Sequence, residues 1–177
     1  MKIILVSGTP GTGKTEVAKI IAKHYDYEYV AIGEHEEYVV DKTDIKIIDV
    51  NLMIKWLKKK QDNSKRPLVV DSHLSHYYPP DRTKMCIITR CDPAELKNRL
   101  KQRGYPEEKI KANLEAEAMD LILQEALAEG HKVHEVDTTH KTANTSAKEA
   151  VDAIDSGKTS YGKIDYSNYL MKPLTKK

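Results

Sequence analysis

The sequence predicts an α/β fold in which a five-stranded parallel sheet lies between two layers of helices. Short apolar segments rich in β-branched residues alternate along the chain with segments in which apolar residues recur every three or four positions. The first apolar segment leads directly into a glycine-rich loop and then into a helical segment. Alternation of this kind is typical of parallel sheets that helices cover on both faces.

Each predicted element rests on its own local pattern. The strands are predicted at residues 3–6, 29–32, 68–71, 85–89 and 132–137. The helices are predicted from the end of the glycine-rich loop to about residue 24, in a short stretch within 34–40, and over 52–60, 93–103, 106–130 and 146–154. Asp92 is the expected N-cap of the helix that Pro93 begins, and Gly104 and Gly130 are expected to end the two helices before them.

Length, charge and cysteine content limit the range of functions. The chain has 177 residues and a net charge of +2, which fits one domain over 1–155 with a short tail over 156–177 and gives no global sign of nucleic-acid binding. Its two cysteines, Cys86 and Cys91, are too few for a disulfide framework and lack the spacing of a zinc site. With no signal peptide and no long apolar run, the chain is expected to be cytoplasmic and to have no membrane partner.

The loop over residues 8–15 reads Gly-Thr-Pro-Gly-Thr-Gly-Lys-Thr and matches the phosphate-loop pattern at every fixed position. Glycines let the backbone turn sharply and approach a polyphosphate, and the positive end of the next helix attracts its charge. Lys14 is expected to reach the β- and γ-phosphates, and the Thr15 hydroxyl is expected to bind Mg²⁺. A chance glycine-rich turn is the alternative, but the location between a strand and a helix favours a nucleoside-triphosphate site in a P-loop NTPase core.

A phosphate loop requires a carboxylate that holds hydrated Mg²⁺, and Asp71, at the end of an apolar strand, is the candidate. The alternative for Asp71 is an ordinary strand-ending carboxylate that caps a turn. His73 would lie near the same edge and could position water or accept a proton, and a purely structural role is as compatible with the sequence. The predicted metal ligands are therefore Thr15 and Asp71.

Arginine is expected to stabilise the charge that develops on a transferred phosphoryl group, because its planar fork is always charged. Arg99 and Arg103 lie one helical turn apart, and Arg103 precedes a Gly-Tyr-Pro segment that is typical of a hinge. Arg103 is therefore predicted to be on a movable lid.

Other charged residues are weaker candidates. Arg82 has no specific sign beyond its type, and Arg90 would either face the nucleotide or pair with Asp92. Glu115 and Glu117 are expected to form salt bridges on a helix surface or at the hinge.

Taken together, the motifs resemble those of the CINAP family, the small nuclear and archaeal adenylate-kinase-like NTPases. Besides the phosphate loop, the resemblance rests on Val-Val-Asp-Ser-His at 69–73, Tyr-Tyr-Pro at 77–79, Arg99, Arg-Gly-Tyr at 103–105, Asn113 and Glu117. It extends from residue 2 to about residue 154. The Asp-x-His and Arg-Gly-Tyr elements are its specific signs, since a phosphate loop is shared with other kinases.

The resemblance implies Mg²⁺-dependent phosphoryl transfer from ATP to AMP or other nucleoside monophosphates, together with slow ATPase activity. It also implies a role in late maturation of the small (30S) ribosomal subunit through a ribosomal protein of the platform, with pre-30S particles or rRNA as further partners. The ATP-binding residues carried over by position are Gly8, Gly11, Gly13, Lys14, Thr15, Glu16 and Arg103. The catalytic candidates are Lys14, Asp71, His73 and Arg103, with a monophosphate-binding region at about 31–54 and a short lid at about 102–113.

Two departures from a typical adenylate kinase bear on these expectations. Such an enzyme carries a Gly-Phe-Pro-Arg-like segment after its second carboxylate, with an arginine for AMP, whereas Ser-His-Leu-Ser-His stands here at 72–76. The lid is also short, and incomplete exclusion of water would let ATP hydrolysis compete with transfer.

Three functions are compatible with the sequence. The leading hypothesis is an ATP:AMP phosphotransferase with accompanying ATPase activity. The second is a nucleotide-switched assembly factor that binds and releases a ribosomal protein, with incidental kinase activity. The third is a kinase of another small acceptor such as shikimate, which would need a basic carboxylate-binding cluster at 33–47, where the sequence is acidic or apolar with one lysine before Lys46.

The tail over 156–177 differs in composition from the rest of the chain. It carries five lysines against one carboxylate, Asp165, with tyrosines at 161, 166 and 169. Interleaved basic and aromatic residues can bind RNA or a ribosomal partner. The alternative, which the sequence slightly favours, is a partly ordered tail whose tyrosines and Leu170 fold back on the body.

Overall fold

A parallel sheet of five strands forms the centre of the computed structural model, which describes residues 1–41 and 47–171. The strands of the described residues are β1 (Ile3–Ser7), β2 (Glu28–Ala31), β3 (Val39–Asp41), β4 (Ile47–Ile48), β5 (Leu68–Asp71), β6 (Thr83–Arg90) and β7 (Val133–Asp137). Within the central sheet the order is β2-β5-β1-β6-β7, and all neighbours pair in parallel. β3 and β4 form a separate antiparallel pair.

Helices cover both faces of this sheet, which confirms the predicted three-layer α/β/α fold. They are α1 (Lys14–Tyr25), α2 (Val50–Asn63), α3 (Pro93–Gln102), α4 (Glu107–Ala118), α5 (Leu121–Ala128) and α6 (Ala143–Ser156). Alternate residues of each strand point to opposite faces, so β1 contributes Ile3 and Leu5 to the core under α2 and α5, and Ile4 and Val6 to the core under α1 and α6. Both cores are therefore continuous with the strand that precedes the phosphate loop.

α2 and α3 begin where the sequence supplies a capping side chain. The Asp92 carboxylate accepts a hydrogen bond from Ala94 N at 2.8 Å, as predicted, and Pro93 occupies the first position of α3. Asp49 caps α2 in the same way through Leu52 N at 3.0 Å. These caps fix where α2 and α3 leave the sheet.

The predicted short helix within 34–40 is wrong. A single 3₁₀ turn occupies Ile32–Glu34, and the chain then becomes extended in β3. The physical reason is tertiary, because Tyr38 is fully buried and its hydroxyl donates to Ile32 O. Trp56 on α2 also donates from Nε1 to Glu37 Oε1 at 3.2 Å, which holds the segment against that helix.

The helix predicted over 106–130 is in fact two helices, because the chain breaks between α4 and α5. Asp120 adopts a left-handed conformation with φ 55°. Arg90 explains the break, since its Nη2 donates to Glu117 O at 3.1 Å and to the Asp120 carboxylate. These bonds replace helical ones at the end of α4.

The described part of the tail folds back on the body. Glu135 N donates to Ser160 O at 2.8 Å, which extends the edge of the sheet beyond β7. The ring of Tyr166 lies over the Arg90 guanidinium at 5.5 Å, and Tyr169 packs against the small apolar core between α3 and α4. The alternative in which the tyrosines pack on the body is thus confirmed for these two residues.

Other parts of the tail do not share this packing. Tyr161 and Leu170 remain exposed, at 50% and 45%, and residues 172–177, with three of the five tail lysines, lie outside the described residues. Among the described helices, none has both the length and the apolar character required to cross a membrane.

We expect Tyr166→Ala to lower the free energy of unfolding by about 2 kcal/mol, because it removes the ring that covers a largely desolvated guanidinium. Chemical denaturation monitored by circular dichroism would measure the change. Tyr161→Ala is the matched control on the same tail and should change stability little. Equal effects of the two substitutions would contradict the packing described for Tyr166.

Candidate active site

The phosphate loop lies at the carboxyl edge of the sheet, where β1 ends between β5 and β6. Gly8 has φ +141°, and a Cβ built on it would lie 2.5 Å from Thr89 O. Any side chain at this position would therefore push the loop away from β6. Gly8 is required by the close approach of the two backbones.

The other two glycines of the loop have related structural roles. Gly11 has φ +93°, and a Cβ there would lie 2.8 Å from the Leu96 side chain of α3. Gly13 has φ +89° and is the N-cap of α1. Both positions need a left-handed backbone, which glycine adopts without strain. Direct contacts of Gly8, Gly11 and Gly13 with ATP remain predictions.

Threonine side chains fasten the loop to its surroundings. Thr12 Oγ1 lies 2.7 Å from Thr89 Oγ1 of β6, and Thr138, just after β7, donates from Oγ1 to Thr12 O at 2.8 Å. The Thr9 hydroxyl donates to Glu117 Oε2 on α4. Three separate elements thereby hold the loop in place before any ligand binds.

Lys14 is folded over this loop, with Nζ donating to Thr9 O at 3.0 Å. Burial lowers the pKa of Lys14 to about 8, an effect that the nearby carboxylates of Asp71 and Glu117 partly offset and that Arg103 reinforces. An ammonium group in such surroundings gains strongly from an anionic ligand. The site therefore favours a phosphate beside Lys14.

The two predicted metal ligands lie side by side. Thr15 Oγ1 donates to Asp71 Oδ2 at 2.6 Å, and Tyr29 donates to the same oxygen at 3.0 Å. A hydroxyl and a carboxylate oxygen are ligands that Mg²⁺ prefers, and Mg²⁺ in phosphoryl-transfer sites takes the rest of its shell from water and phosphate. The pair thus fits a Mg²⁺ ion, and Tyr29 orients the carboxylate.

His73 and Arg103 lie near the same point. The pKa of His73 is lowered, first by desolvation and then by the Lys14 ammonium, with Asp71 acting in the opposite direction. Arg103 caps the C-terminus of α3 and is exposed, close enough to Lys14 for its charge to lower the pKa of that lysine. His73 is thus neutral at neutral pH, and Arg103 is a solvent-facing cation at the edge of the site.

Glu16 lies in the first turn of α1 with its side chain exposed. Its backbone N–H belongs to the positive end of that helix, the part of the residue that suits an anion. A contact between Glu16 and ATP remains a prediction.

The other arginines have structural partners. Arg99 donates to Glu95 at 2.9 Å and from Nη2 to Thr138 O at 2.9 Å, which braces the loop after β7. Arg82 donates to Asp62 at 2.8 Å, away from the phosphate loop.

Both alternatives for Arg90 are wrong, because it faces neither the nucleotide nor Asp92. Its guanidinium is 2% exposed and pairs with Glu117, Asp120 and Glu135. Burial alone would lower the pKa of Arg90, but these carboxylates outweigh it and raise the pKa above its usual value.

The expectation of surface or hinge salt bridges holds for Glu115 alone. Glu115 pairs with Lys111 across one turn of α4 at 3.8 Å. Glu117 is 3% exposed and joins Arg90 to the phosphate loop. A sequence signal was available, because Glu117 continues the stripe that Ile110 and Leu114 form on α4, and a carboxylate on a buried face needs partners.

A strand, a glycine-rich loop with its lysine, a helix and a carboxylate on the neighbouring strand define this chain as a P-loop NTPase of the α/β class. Comparison with known proteins agrees. A family model described as "AAA domain" matches residues 4–120, more than half of the chain.

Relatives of nearly the same length extend this result. A protein named "Putative adenylate kinase" from Thermococcus onnurineus is 40% identical over 172 residues, covering 93% of this chain and 91% of the relative. One of the same name from Thermococcus gammatolerans is 38% identical and covers 93% of both. The chain belongs to the AAA domain family that the model describes and to the family of these relatives.

Solved structures show the same fold at low identity. A deoxyadenosine kinase from M. mycoides, solved with dCMP and dCDP bound, has a TM-score of 0.57 and 19% identity, covering 89% of this chain and all of that one. At this identity the likeness concerns the fold alone.

The lowered pKa of Lys14 predicts a specific pH dependence of ATP binding. A bound triphosphate raises that pKa, so binding takes up a proton above the free-protein pKa of about 8. ATP affinity should be constant below this pH and should fall by as much as about tenfold per pH unit above it. Titration calorimetry in two buffers of different ionisation enthalpy would measure both the affinity and the proton uptake.

Lys14→Ala serves as the control, because it should bind ATP weakly and without a fall above this pH. A wild-type affinity that stays constant to pH 9.5 would contradict the role assigned to Lys14.

Proposed function

We propose that this protein is a Mg²⁺-dependent kinase that transfers the γ-phosphoryl group of ATP to AMP or another nucleoside monophosphate, with accompanying ATPase activity. The observation that carries the proposal is the hydrogen bond between Thr15 and Asp71 beside Lys14, which gathers a metal-binding oxygen pair and a cation at one point of a phosphate loop. The relatives named as adenylate kinases support it.

Each residue of the proposed ATP-binding side of the site would have a separate role. Lys14 would bind the β- and γ-phosphates, and Arg103 would approach the transferred group from the end of α3. Thr15 and Asp71 would hold Mg²⁺, which when bound neutralises phosphate charge. Residues 102–113, which contain the turn between α3 and α4, form the proposed lid.

His73 provides the proposed route to hydrolysis. A neutral imidazole has a ring nitrogen that can accept a proton from water or orient it, and the lowered pKa keeps His73 neutral at neutral pH. The ring is partly exposed at the mouth of the site, so water reaches it. ATPase activity therefore accompanies transfer whenever the acceptor site is empty.

A second function is favoured by the charge of the proposed acceptor region, residues 31–54. Its sequence holds six carboxylates and two lysines and lacks arginine. Such a surface repels a second anion and attracts a basic polypeptide. The second candidate is therefore a nucleotide-switched factor that binds a basic platform protein of the small ribosomal subunit and acts in late 30S maturation in the cytoplasm.

Product analysis separates the two functions. The purified protein is incubated with Mg²⁺ and γ-labelled ATP, with and without AMP, and labelled ADP and free phosphate are quantified. Rapid conversion of AMP to labelled ADP with little free phosphate supports the kinase. Release of free phosphate at a rate that AMP does not change supports the nucleotide-switched factor. Lys14→Ala should abolish both products, because both need the γ-phosphate clamp, and activity that survives would contradict the site.

We expect His73→Ala to reduce the ATPase rate by about tenfold to a hundredfold and to change ATP affinity little, because the ring acts on water rather than on the nucleotide. Steady-state hydrolysis and equilibrium binding of ATP would be measured on the same preparation. His24→Ala, an exposed histidine on α1, should leave both values unchanged. Equal losses of rate and affinity in His73→Ala would make His73 a binding or structural residue.

A further inference from the structure

Glu117 lies on α4, the helix that begins within the proposed lid, yet its carboxylate is buried. It is 3% exposed, and donors from different parts of the chain reach both of its oxygens. Arg90 Nε donates to Oε1 at 2.8 Å and Cys91 N donates to Oε1 at 3.0 Å, while the Thr9 hydroxyl donates to Oε2. We propose that Glu117 is a positioning residue that holds the phosphate loop in its ligand-binding shape.

Thr9 is the point through which Glu117 acts on the loop. Its side chain is committed to Glu117, and its carbonyl oxygen accepts from Lys14 Nζ at 3.0 Å and from Thr12 Oγ1 at 2.8 Å. Thr9, whose carbonyl oxygen accepts from Lys14 Nζ, is thus itself held by the Glu117 carboxylate. Loss of that carboxylate frees the carbonyl on which the resting position of Lys14 depends.

A buried carboxylate can perform this role only if its own position is fixed. Arg90 provides that constraint, because the same guanidinium also pairs with Asp120 and Glu135. Gly162 N donates to the second oxygen of Glu135 at 2.5 Å, so the tail completes the outer side of the network. Breaking a buried pair of this kind leaves an uncompensated charge, which is costly.

The test compares Glu117→Gln with Glu115→Gln, the same charge change two residues away on an exposed side chain of α4. The affinity for Mg²⁺-ATP is measured by calorimetry at pH 7. For Glu117→Gln we expect about tenfold weaker binding, because the loop loses the carboxylate that accepts from Thr9. Glu115→Gln should match the wild type.

A wild-type affinity for Mg²⁺-ATP in Glu117→Gln would overturn the inference. The inference rests on the proposed ATP site, and the two can fail separately. If the wild type itself does not bind Mg²⁺-ATP, the proposed function is wrong, whereas wild-type binding that Glu117→Gln leaves unchanged refutes the positioning role alone.

A second pair of variants covers the case in which Glu117→Gln does not fold. Thr9→Val removes the hydroxyl and keeps the pairing of Glu117 with Arg90, whereas Thr9→Ser keeps the hydroxyl. Thr9→Val should weaken ATP binding about tenfold, and Thr9→Ser should bind close to the wild type. Equal affinities of the two variants would refute the link through Thr9.

Discussion

The parallel pairing of β1 with β5 on one side and β6 on the other is the constraint on which the rest of the site depends. Carboxyl ends of parallel strands meet at one edge of a sheet, so the loop after β1 lies between Asp71 of β5 and Thr89 of β6. Asp71 then faces the Thr15 hydroxyl, and the Thr89 backbone excludes a side chain at Gly8. The strand order therefore determines where the phosphate loop lies relative to Asp71 and Thr89.

The Arg90 network shows a different principle, because its charges are buried at a cost. Buried ion pairs rarely stabilise a fold more than apolar residues of similar size would. Here the ion pairs of Arg90, together with the hydrogen bond from Thr9 to Glu117, connect β6, the end of α4, the tail and the phosphate loop. The value of the network is therefore geometric, since charged hydrogen bonds impose distances and angles that apolar packing does not.

How far the sequence predicts this structure depends on whether the deciding interaction is local. The five central strands, the Asp92 cap and the phosphate loop were all predictable, because apolar period, capping and glycine spacing act within a few residues. The break at Asp120 was not, since no glycine or proline marks it and Arg90, thirty residues earlier, causes it. β3 was missed for the same reason, because Tyr38, which precedes it, is fully buried and its hydroxyl donates to Ile32 O, contacts that no local preference indicates.

The proposed donor and acceptor halves of the site also differ in how far the fold determines them. The positions of a phosphate loop, its lysine and the proposed metal ligands follow from one strand order, so the proposed donor half is common to the fold. The described residues of the region 31–54 carry no lysine or arginine side chain, and Trp56 packs there at 4.4 Å from the His35 ring and 5.5 Å from the Tyr38 ring. Anion capture needs fixed cations, whereas an acidic surface attracts a basic polypeptide. If residues 31–54 are the acceptor region, as proposed, we expect charge and not fold to select the partner there.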